Sequence, residues 1–96
     1  MAKKYAQAWS YESITVSGTE IGCTEEKVID GLDQILVTAE AANMRFRTDG
    51  GVPTDTEGHL FEVGDVLSVT GLEEIKNLLF IKATGTDATV RVTYYV

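Results

Sequence analysis

The stretch ATVRVTYYV, residues 88–96, alternates with a period of two. Val90, Val92, Tyr94 and Val96 fall on one face, and Thr89, Arg91, Thr93 and Tyr95 on the other. β-Branched and aromatic residues in such alternation bury one face as a pleated strand. The pattern recurs. Ile35, Val37 and Ala39 oppose Leu36, Thr38 and Glu40; Met44 and Phe46 oppose Arg45 and Arg47; Leu67 and Val69 oppose Val66, Ser68 and Thr70. Near the start, Glu12, Ile14 and Val16 share a face against Tyr11, Ser13 and Thr15. The run LLFIKAT, residues 78–84, is nearly continuous in apolar residues and reads as a strand covered on both faces.

Turn signals separate these runs: SGTE at 17–20, IDGLD at 29–33, TDGG at 48–51, EVGD at 62–65 and ATGTD at 83–87. Glycine supplies positive φ and aspartate bonds its own backbone, so such clusters reverse strands. Short strands at intervals of roughly 8–12 residues predict an all-β fold, a small antiparallel β-sandwich or barrel of seven or eight strands. Residues 71–78, GLEEIKNL, suit a single helical turn between two strands, too short to stand alone. Residues 1–9 read as an extended N-terminal arm ahead of one domain over residues 10–96. The arm carries Lys3, Lys4, Tyr5 and Trp9, and either frays or packs against a neighbouring subunit.

Ninety-six residues make one domain with a modest core. The single cysteine, Cys23, has no internal partner, which points to synthesis in a reducing cytoplasm and to a small buried hydrophobe. The first residues lack the apolar core of a signal peptide, and no run approaches the ~18 apolar residues of a membrane helix. A soluble protein without a membrane partner is expected. Fifteen acids against eight bases give a net charge of −7, which argues against nucleic acid, whose phosphates need a concentrated basic face.

No motif completes a chemistry. His59 is the only imidazole, with Asp55 and Glu57 nearby in sequence, and it reads as a loop-end histidine bonded to backbone. The spacing of Asp49, Asp55 and Glu57 does not match a calcium loop, and one Cys with one His does not make a zinc site. The glycines of TDGGVPTDTEG lack the Lys-Ser/Thr and the helix of a phosphate cradle. The chain is therefore read as no enzyme, with no catalytic residue, metal or cofactor. Arg45 and Arg47 share a strand face and Arg91 lies on a similar one. They either pair with Glu40, Asp49 or Asp87 or bind an anionic partner.

At RFRTDGGVPTDTEGHLFEVGD the chain resembles small virion structural proteins of tailed bacteriophages and prophages, the capsid decoration and head-fibre-like β-sandwich proteins. The resemblance is carried by Arg45, Phe46, Arg47, Asp49, Gly50, Pro53, Thr54, Gly58, His59, Leu60, Gly64 and Asp65. WSYESITVSG at the start and LLFIKATGTDATVRVTYYV at the end look similar too, so it covers most of the chain. It implies a decoration (cement) protein, made in the host bacterial cytoplasm and bound to the capsid surface of the virion. Its implied partners are the major capsid protein and itself, as a homotrimer. Lys3, Lys4, Tyr5, Trp9, Arg45 and Arg47 are the expected partner-binding residues. The alternative is a host-surface or carbohydrate-binding module of a head fibre or tail, with Trp9, Tyr94 and Tyr95 as stacking platforms for sugars.

Overall fold

Each alternating run becomes a strand in the computed structural model, which describes residues 7–96. In chain order these are β1 (Ala8–Val16), β2 (Gln34–Glu40), β3 (Met44–Arg47), β4 (His59–Phe61), β5 (Val66–Thr70), β6 (Leu79–Lys82) and β7 (Ala88–Tyr95). A 3-10 turn spans Glu25–Lys27, and one short helix, α1, spans Leu72–Asn77. The strands form a four-stranded sheet in the order β1-β7-β2-β5 and a three-stranded sheet in the order β4-β3-β6. Every pair is antiparallel. The molecule is a small antiparallel β-sandwich.

Register follows from the apolar faces, because a slip of one residue would turn each of them to water. Ile14 lies opposite Val90, Val37 opposite Val92, and Ile35 between Tyr94 and Val69. All of these point inward and are buried. From the smaller sheet Met44, Phe61 and Phe80 meet them, with Phe61 stacked on Phe80 at 6.1 Å and Phe46 edge-on to Phe61 at 5.7 Å. Each such side chain stabilises the fold by about 1.5–3 kcal/mol when it leaves water.

Helix α1 has six residues and persists through packing, since Ile75 and the following Leu78 are buried. Glu73 and Glu74 in its first turn and Lys76 in its last also suit the helix dipole.

Three expectations change. The 78–84 run is not covered on both faces: Phe80 is buried, but Leu79 and Ile81 are only half-buried. Its strand lies at the edge of the three-stranded sheet, flanked by residues 17–22, and its outer face is only partly covered. Ala8 and Trp9 belong to β1 and not to an arm, because Ala8 pairs with Tyr95 and Gln7 exchanges backbone bonds of 2.9 Å with Val96. A β-bulge between Ala8 and Ser10 breaks the alternation there and hides the start of the strand. Finally, His59 is the first residue of β4. Its ring lies 5.3 Å from that of Phe46, whose β3 backbone pairs with it.

The β2–β3 connection holds the one described non-glycine residue at positive φ, Ala41 at 73°. The Ala42 N–H donates to the Glu40 carbonyl at 2.9 Å, closing a tight γ-turn around it. An alanine in this conformation carries steric strain that glycine does not. Ala41→Gly is expected to raise stability by about 0.5–1 kcal/mol. The check is a denaturant midpoint that moves up at constant slope.

Candidate functional site

The β3–β4 connection, residues 48–58, is held at many points. The Thr54 N–H donates to the Glu57 carbonyl and the Glu57 N–H to the Thr54 hydroxyl, both at 2.9 Å. Pro53 is fully buried and anchors the excursion to the body, while Val52 and residues 54–57 stay exposed. Arg47 grips Asp49 through two bonds, Nε to Oδ1 at 2.9 Å and Nη2 to Oδ2 at 2.6 Å. The Gly51 N–H also donates to Asp49 Oδ1 at 3.1 Å. The guanidinium, aided by that N–H, lowers the Asp49 carboxyl to about 2. Arg45 reaches under the excursion, and its Nη1 donates to the Gly58 carbonyl at 3.3 Å. Its buried Nε has no bonding partner among the described residues.

Arg45 and Arg47, the two arginines expected to bind a partner, are therefore engaged inside their own loop. A cleft of about 480 Å³ runs between Arg47, Thr48, Asp49, Glu57, Gly58 and His59. Asp55 lies away from it, on a second hollow beside Ile81 and Lys82, so the clustered acids of the sequence are split. Among the described residues, no three His, Cys, Asp or Glu side chains gather as metal ligands.

Arg91 belongs to the other sheet, so the three arginines do not converge. On its outer face Arg91 donates to Glu40 Oε2 at 2.7 Å, to the Tyr11 hydroxyl at 2.9 Å and to the Ser13 hydroxyl at 3.0 Å. This one side chain ties β1, β7 and β2 together. Its bonds to Tyr11 and Glu40 hold the guanidinium charged, with the pKa raised.

A third group lies at the inner edge of β1. Glu12 points inward and accepts from the Tyr94 hydroxyl, the Thr24 hydroxyl at 2.5 Å and the Thr24 N–H at 3.3 Å. Cys23 is half-buried beside them. Burial, then the bond to Glu12, pushes the Tyr94 phenol up, and burial likewise raises the Cys23 thiol. Sequence reasoning missed this cluster. The signal was a charged residue in phase with Ile14 and Val16, which requires a partner inside.

Trp9 is 44% exposed and sits edge-on to Tyr94, with ring centroids 6.5 Å apart. Tyr94 is wholly buried and offers no stacking surface, contrary to the sugar-platform expectation. Lys3, Lys4 and Tyr5 lie outside the described residues. Comparison with family models, curated proteins and solved structures found no match for the chain.

Two outcomes are expected. Gly58 has a φ of +126°, and a Cβ there would lie 3.0 Å from the Phe46 carbonyl and 3.3 Å from Pro53. Gly58→Ala should cost about 1–3 kcal/mol and expose residues 48–58 to protease before the rest unfolds. The raised Tyr94 and Cys23 groups bind protons more tightly folded than unfolded. Stability should therefore hold below about pH 9 and fall as pH rises through the ordinary thiol and phenol values, 9.0 and 10.0. The slope approaches about 1.4 kcal/mol per pH unit for each proton. Denaturant titrations from pH 8 to 11 should show the decline, and Tyr94→Phe with Cys23→Ser should flatten it.

Proposed function

We propose that this protein is a structural component of a tailed-phage virion. In this reading it binds the outside of the assembled capsid lattice as a decoration protein and stabilises the shell. Its partners are the major capsid protein and further copies of itself, arranged as a homotrimer at a lattice symmetry point. The resemblance at residues 44–65 motivates the reading. The observation that carries it is the condition of that stretch: Pro53 is buried, Arg45 is bonded to Gly58, and Arg47 is clamped on Asp49. A rigid surface feature loses little entropy on docking, so each copy needs only modest contact while the repeating lattice multiplies it.

The competing reading, a carbohydrate-binding or host-surface module, relied on three stacking rings. One of them, Tyr94, is fully buried in the core. Trp9 leans against its edge.

The test uses particles assembled with and without this chain. Particles lacking it should release their DNA at lower temperature and under milder osmotic shock, and adding the purified protein should restore robustness. Equal robustness combined with lost adsorption to cells would overturn the decoration role in favour of host recognition.

A further inference from the structure

The sandwich has four strand edges, and three of them are protected. β1 carries a bulge at Trp9 and the inward-pointing Glu12, whose carboxylate is tied to Thr24. β6 is covered by residues 17–21: Ile21 and Phe80 exchange backbone bonds of 3.0 and 2.8 Å, and the Lys82 N–H donates to the Ser17 carbonyl at 3.0 Å. β4 is only three residues long. Bulges, inward charges, covering segments and shortness are the devices by which proteins blunt their sheet edges.

β5 has none of these devices. Its sequence, VLSVT, holds no charge, proline or glycine, and its pairing with β2 runs without a register shift. Among the described residues no backbone bond reaches its outer edge. Val66 at its start is 62% exposed, and the neighbouring Val63 is 55% exposed. An edge that is regular, apolar and unguarded accepts another strand readily.

Charge selects the occupant. The segments that flank β5 carry four acids, Glu62, Asp65, Glu73 and Glu74, against one base, Lys76, which lies 3.9 Å from Glu73. Pairing β5 with β5 of a second copy would set Glu62 and Asp65 of one against Glu73 and Glu74 of the other, which repels. The first six residues carry Lys3 and Lys4 with no acid. We propose that the outer edge of β5 is filled by the basic N-terminal segment, residues 1–6, of a second copy of this chain.

Reach places the donor in another copy. Gln7 bonds Val96 at the β1 side of the sheet, whereas β5 is the opposite edge, three strand spacings or about 14 Å away. Six extended residues span about 20 Å, and the five residues of β5 run about 17 Å. A segment that first crossed its own sheet would have too little length left to cover the edge. Donation from copy to copy is a head-to-tail contact, which closes into a ring or extends into a chain. Nothing in this pairing depends on the decoration role.

The experiment uses the full chain. Light scattering at low salt should show an oligomer. Lys3→Glu with Lys4→Glu should weaken association roughly tenfold with an unchanged far-UV spectrum, and added salt should act in the same direction. Adding Glu62→Lys and Glu73→Lys to that variant should restore the oligomer. In a Cys23→Ser background, mixing a Lys3→Cys chain with a Ser68→Cys chain should yield a disulfide between the two. A monomeric full chain, an oligomer indifferent to the charge reversal, or coupling of the Ser68→Cys chain only to itself would each overturn the proposal.

Discussion

β7 lies between β1 and β2, hydrogen-bonded along both edges, and β1 and β2 do not pair with each other. The four-stranded sheet therefore exists only through this one strand. Its inner face supplies Val90, Val92 and Tyr94 to the core, and its outer face supplies Arg91, whose guanidinium joins Glu40 of β2 to Tyr11 and Ser13 of β1. Tyr94 also reaches back to Glu12. The pairing of β1 with β7 joins residues about 70 to 90 positions apart, so it closes a loop of most of the described chain. Folds dominated by such distant pairings form on the slow millisecond-to-second scale.

Alternation made most of this sheet readable, since Val90 and Arg91 belong to opposite environments whatever their partners. Legibility failed where local order broke. The bulge at Trp9 interrupts the period of two, so the strand starts earlier than its pattern. β4 is too short to show any period. The run from Leu78 to Thr84 signals a demand for burial, but a single sequence does not say that its strand lies at an edge.

The candidate site was partly legible. Parity placed Arg45 and Arg47 on one face, and the cross-strand bond of Arg91 to Glu40 is one of the pairings the sequence suggested. Parity does not show a loop returning over its own strand. Gly58 offers its carbonyl to Arg45, with the buried Pro53 packed beside it. The Glu12–Tyr94 pair spans 82 residues, and only the misfit of a carboxylate among Ile14 and Val16 pointed toward it.

Trp9 is the only tryptophan of the chain, half-exposed, edge-on to a buried tyrosine and two residues from Gln7. The molecule thus carries a single indole, at the pole where β1 begins. Its emission wavelength and quenching report on water at that pole alone, free of background from other indoles. Events there can be followed optically in the unlabelled protein, at concentrations far below those that scattering requires.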